Sequence, residues 1–292
     1  MVSDQTIEAI QANAIKIMKM ADQLKDQLRA FPPIVPAIVG LRVAMRMLPF
    51  VVGRMCSEPI SPKERRWIIS AFRYLAFSRI AIIHPTRSLI EVQTAINIAR
   101  PSRGYGSGAA LSEGTDAAAY YIRSVKGKEW ETKVIDAAYL AGQSVRRANF
   151  ANAGSPWEAV QTDILWVSVQ IDPFKLLEEK LWLAESPSDP AQELHLKFWN
   201  SMRSALEAEH ASWKVWTDWY QNILDGAPSS LAEIDYFRLT LIPNSIDKLN
   251  NETAEGRSQW KQELTDNSKL YRNDARKANR LVLQRILENN SF

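Results

Sequence analysis

Three histidines (His84, His195 and His210), a lone cysteine (Cys56) and scattered carboxylates are the groups in this chain with which bond-making chemistry could be done. No His-Glu-x-x-His occurs. Glu207-x-x-His210 is one copy of the Glu-x-x-His element that di-iron helical bundles use twice, and without its second copy it reads as a surface pair. No Ser-His-Asp or Cys-His combination is singled out by spacing, and Cys56, at the end of an apolar stretch, reads as an inert core thiol. Asp163, Glu178 and Glu179 could serve a hydrolase that works with carboxylates alone, yet their spacing nominates none of them. The sequence therefore predicts no catalytic residue, no metal site and no cofactor.

Cations are better organised. Arg42 and Arg46, four apart in an apolar run, should pair with carboxylates or carbonyls, although two guanidinium groups on one face could also hold a phosphate. Lys269, Arg272, Arg276 and Arg280 recur at three and four along the last helical stretch, and Lys63, Arg65, Arg66 and Arg73 crowd another. Both are candidate phosphate or nucleic-acid contacts. Asp266 and Asp274 dilute the first stripe, so a solvated helix face is the plainer reading. The one glycine-rich stretch, from Arg103 to Gly114, could form an anion-binding concavity at Gly104–Gly108. It follows no strand and matches neither phosphate-loop pattern, so it is predicted to be a linker.

Helices must position these groups. Trp213, Trp216, Tyr220, Ile223 and Leu224 form one stripe with Trp219 beside it, ended by Gly226 and Pro228. Such a cluster is either the keystone of a core, the preferred reading, or a recognition surface. Ile7, Ile10, Ala14, Ile17, Ala21, Leu24, Leu28 and Phe31 alternate at three and four, a heptad seam that either packs inside the fold or meets another chain. Residues 34–55 have the length of a membrane span, but Arg42 and Arg46 near the middle would each cost about 2.5–3.5 kcal/mol in lipid. A buried helix is predicted instead. Ser61-Pro62-Lys63-Glu64 and Ser155-Pro156-Trp157-Glu158 open helices. Further helical patterns cover about 86–98, 115–126, 129–150 and 190–208, and the pattern continues through Phe174, Leu177, Leu181 and Trp182.

With no period-two pattern, the fold is predicted to be all-α, an array or bundle of about 10–12 helices with a long C-terminal one. The expected organisation is a basic region over 1–101, the glycine-rich linker over 102–114, an acidic tryptophan-rich region over 115–250 and a last amphipathic helix over 251–292. At 292 residues with 46% hydrophobic content, the chain can bury a sizeable core. The single cysteine excludes an intramolecular disulfide, and the polar N-terminus lacks a signal peptide's basic and apolar regions, so the cytoplasm is the expected location. The net charge of +3 hides a division: residues 1–150 carry +9 and residues 151–250 carry −8.

Leu-Arg-Val-Ala-Met-Arg-Met-Leu-Pro (41–49), the alanine-rich middle, Trp157 with Asp163, and Trp213-x-x-Trp216-x-x-Trp219-Tyr220-x-x-x-Leu224-x-Gly226 together resemble a group of uncharacterised helical bacterial proteins. The resemblance spans roughly 35–230 and implies a bacterial origin and a helical fold, with no catalytic residues. The resulting expectation is a non-enzymatic protein that works by protein–protein contact or self-association through the 7–31 seam and the oppositely charged regions. By analogy it would be an adaptor or subunit of a bacterial multi-component system, including those acting against phage. The alternatives are a nucleic-acid-associated protein using the basic N-terminal half and last helix, and, more remotely, a membrane-active effector using 34–55.

Overall fold

The computed structural model describes residues 23–53, 60–83, 107–125, 130–147, 156–183, 190–226, 266, 269–270 and 273–289. Those residues are 87% helical with no strand, so the protein is all-α. The helices are α1 (23–29), α2 (Ile34–Val52), α3 (Pro62–Ile83), α4 (Ser107–Ser124), α5 (Glu131–Arg147), α6 (Trp157–Ser168), α7 (Pro190–Glu209), α8 (Lys214–Asp225) and α9 (Ala275–Asn289). Two 3-10 turns, Pro173–Leu177 and Ala211–Trp213, sit between them. Ile7, Ile10, Ile17, the 86–98 segment, Cys56, His84, residues 227–265 and Arg272 lie outside the described residues.

The hub is α2, buried from Val35 to Val52. Among the described residues it is the one helix long and apolar enough to cross a membrane, and 94% of its apolar window is buried inside the fold. Apolar side chains on every face require neighbours on every face. α4 and α5 pack most extensively on it, with α3, α6 and α7 around the rest. The close approach of α4 rests on small residues: a Cβ at Gly114 would lie 2.2 Å from the Gly40 carbonyl oxygen and 2.8 Å from Ala44 Cβ.

Several helix ends are those the sequence predicts. Glu64 N–H donates to Ser61 Oγ (3.2 Å) and Ser61 N–H to Glu64 Oε2 (2.8 Å), a reciprocal capping box opening α3. Gly226 ends α8 with φ of 89°, the left-handed conformation that glycine adopts without strain.

Three expectations are corrected. The glycine-rich stretch is no linker over its second half: α4 starts at Ser107, and Gly114 lies against Gly40 and Ala44 of α2. Leu24 and Leu28 are fully buried in their own chain, Leu24 reaching the Gly142 position on α5, so this end of the seam does not face a partner. The helical pattern at 174–182 stops after one 3-10 turn, because its carbonyls serve other donors.

Candidate functional site

The polar centre of the molecule begins with the two arginines. One helical turn apart on α2, Arg42 and Arg46 both reach Asp163, which α6 buries completely. Arg46 is bidentate, with Nη1 donating to Oδ2 (2.6 Å) and Nη2 to Oδ1 (2.8 Å), and Arg42 Nε donates to Oδ1 (3.1 Å). One carboxylate cannot satisfy two buried guanidinium groups, which carry five donors each. Backbone carbonyls supply the remainder. Arg42 donates to Leu176 (2.7 Å), Glu179 (3.2 Å), Lys180 (2.7 Å) and Leu181 (3.1 Å), while Arg46 donates twice to Leu181 (3.0 and 2.6 Å). A helix continued through 181 would use those carbonyls internally, hence the early stop. Burial holds the Arg42 pKa below its ordinary value, opposed by the Asp163 charge. Between them the pair spend their donors on protein acceptors, so the phosphate contact considered for Arg42 and Arg46 is corrected to an internal tie.

A second buried chain adjoins the first. Pro49 lacks an N–H, so the Met45 carbonyl on α2 loses its helical partner. The Tyr220 hydroxyl of α8 fills that vacancy, donating to Met45 O at 2.7 Å. Having spent its proton, the hydroxyl accepts from His195 Nε2 on α7 (3.0 Å), which fixes the Nε2–H tautomer. Trp182 spans the two chains, with the Arg46 guanidinium 5.5 Å from its ring centroid and the His195 ring 5.2 Å away. Desolvation, reinforced by the Arg46 charge, pushes the His195 pKa down to about 3, and burial raises that of Tyr220 well above its usual value.

A neutral histidine in the fold and an ordinary one near 6.5 in the unfolded chain give a definite sign. Between those pH values the unfolded state binds more protons, so stability is full above 6.5 and declines as pH falls toward 3. His195→Gln is expected to flatten the pH dependence of the unfolding free energy by up to about 1.4 kcal/mol per pH unit in that window, measured by urea titration. An unchanged slope would show that the imidazole titrates normally in the fold.

The tryptophan segment belongs to the core. Trp213, Trp216, Trp219 and Tyr220 are all buried, and Phe72 of α3 stacks on Trp216 with centroids 5.9 Å apart. Trp216 Nε1 donates to Asn279 Oδ1 (2.8 Å), which docks α9 onto α8. Glu209 completes that docking by accepting from Trp213 Nε1, from Arg65 (2.8 Å) and from Arg276. Burial raises its pKa, but the Arg276 and Trp213 hydrogen bonds and the Arg65 charge outweigh that and hold it below the usual range.

Arg276 is thus corrected from nucleic-acid contact to interhelical tie. Lys269 pairs with Asp266 (3.2 Å) and Arg280 is exposed, so the described part of the stripe presents no continuous cationic face. Glu207 and His210 do not converge on a ligand either. Glu207 accepts from Arg203 (2.9 Å) and Thr217 (2.8 Å), while His210 Nδ1 accepts from the Ser212 N–H (3.0 Å), capping the 3-10 turn. Among the described residues no three His, Cys, Asp or Glu side chains converge as a metal site would require.

What the sequence reading did not single out is an apolar ridge at the end of α6. Leu165, Val169 and Ile171 are 66%, 76% and 102% exposed, on a helix whose other side buries Trp157, Val160, Ile164 and Val167. The available signal was an apolar pair at i,i+4, Leu165 and Val169, on the opposite side of the helix from its core stripe.

Comparison with known families, characterised proteins and solved structures finds no match to this chain.

Proposed function

We propose that the protein is a non-enzymatic helical adaptor or subunit that works by protein–protein contact, with self-association through the Leu165–Val169–Ile171 ridge as its primary contact. The observation that carries this reading is the exposure of three large apolar side chains within seven residues, rimmed by exposed Glu158, Ser168, Gln170 and Asp172. An apolar centre with a polar rim is the usual anatomy of a contact surface. Among the described residues, Asp163 and Glu209 hold arginines, His195 hydrogen-bonds Tyr220 and His210 caps a turn, so these groups serve the fold. The ridge lies in the part of the chain carrying −8, and residues 1–150 carry +9, so one copy offers another the complementary charge.

Sedimentation velocity over a range of concentrations tests this. The full chain should associate more as concentration rises and less as salt rises, and the triple variant L165E/V169E/I171E should remain monomeric. A monomeric parent, or a variant that associates equally well, would overturn the reading.

A further inference from the structure

We infer that the ridge of one copy docks on a cationic corner of the next, where the first turns of α3 and α9 meet, so that self-association runs head to tail. Such docking rests on the ridge reading and adds the surface that receives the ridge. Glu209, at the end of α7, accepts from Arg65 of α3 (2.8 Å) and from Arg276 of α9, which sets the two helix starts side by side. Beside that tie each helix turns two cations outward. Lys63 and Arg66 share a face of α3 with half-buried Trp67, and Lys277 and Arg280 share a face of α9 with Leu281, which is 36% exposed. Neither helix carries a long cationic stripe by itself, and the patch arises from their adjacency.

The carboxylates at this corner are committed to the fold. Glu209 takes the two arginines and the Trp213 indole N–H, Glu64 accepts from the Ser61 N–H (2.8 Å), and Asp274 accepts from the Lys277 N–H (3.0 Å). Lys63, Arg66, Lys277 and Arg280 are exposed and meet no carboxylate among the described residues. Like charges gathered at one corner repel one another, and an acidic partner relieves that repulsion. The ridge is such a partner. Glu158 lies on the same face of α6 as Leu165, two turns before it, and Asp172 and Glu179 are exposed at the other end, where they outnumber the charge of neither Lys175 nor Lys180 alone but exceed both once Glu158 is counted. Its apolar side chains have Trp67 and Leu281 to meet. A two-fold contact of ridge on ridge would leave the four cations unused and set one acidic region against another.

The test is sedimentation velocity on the full chain, on the corner variant K63E/R66E/K277E/R280E and on the ridge variant L165E/V169E/I171E, each alone and the two variants mixed. The parent's mass should rise past the dimer as concentration increases, because a head-to-tail contact leaves a ridge and a corner free at the ends. Each variant alone should be monomeric, and the lighter change K277E/R280E should raise the concentration needed for association about tenfold or more. Mixed, the two variants should form a one-to-one pair and nothing larger, because one keeps its ridge and the other its corner. Circular dichroism and the thermal midpoint confirm that each variant is folded. Association that stops at the dimer, a folded corner variant that associates as the parent does, or a mixture that stays monomeric while the parent associates overturns the head-to-tail docking and leaves the ridge reading standing. A ridge variant that associates as the parent does overturns both. A labelled DNA duplex that binds the parent but not a corner variant still able to self-associate would assign the corner to nucleic acid, and that too overturns the docking.

Discussion

Asp163→Ala is expected to cost about 3–5 kcal/mol of folding free energy, as the shift in urea midpoint multiplied by the slope of the transition. The carboxylate is fully buried between two fully buried guanidinium groups that approach it at 2.6–3.1 Å. Removing it leaves two like charges in the interior, four residues apart on one helix and joined only by carbonyl contacts. Arg42→Met with Arg46→Met and Asp163→Leu would remove the charges, and elsewhere such swaps can be neutral or better. Here they are expected to be costly, because the Leu176, Glu179, Lys180 and Leu181 carbonyls would lose their donors in a dry interior. A loss below about 1 kcal/mol for Asp163→Ala would mean that the network relaxes around water.

Gly114→Ala is expected to reach or exceed the upper end of the about 1–3 kcal/mol that overpacking costs. The opposing term is alanine's better helix propensity, worth about 1 kcal/mol. Geometry decides between them. The new methyl would stand 2.2 Å from a backbone carbonyl oxygen of α2 and 2.8 Å from Ala44 Cβ, and neither is the end of a flexible side chain. α2 and α4 would have to separate, loosening the most extensive helix pair on the hub. Differential scanning calorimetry should show a thermal midpoint lower by several degrees, and a midpoint at or above the parent's would refute the close crossing.

The fold was legible where local physics decides it. The Ser61–Glu64 capping box and the Gly226 stop each depend on residues within one turn, and the structure has both, while α6 begins just after Pro156 with Ser155 outside the described residues. Within the 34–55 stretch, Val35 to Val52 are buried, as its central arginines and its interruptions at Pro36, Gly40 and Pro49 suggest, and the pairing of the arginines with carboxylate and carbonyls followed from the cost of burying a lone charge. What could not be read was which acceptors: Asp163 is 121 positions from Arg42, and nothing local marks it as the partner. The same distance hid the reason why the 174–182 pattern fails as a helix. Arg276 looked like a surface cation because its partner, Glu209, lies 67 positions away. The ridge on α6 was missed for a different reason. Apolar periodicity identifies what faces the core, and these residues face away from it.

The most direct test follows from the separation between ties inside and contacts outside. Sedimentation velocity and thermal midpoint, taken on the same samples of parent and L165E/V169E/I171E, should show concentration-dependent association in the parent alone and a single monomeric species in the variant, whose midpoint matches that of the parent at the lowest concentration. A triple variant that associates like the parent, or one that melts well below it, would contradict the account.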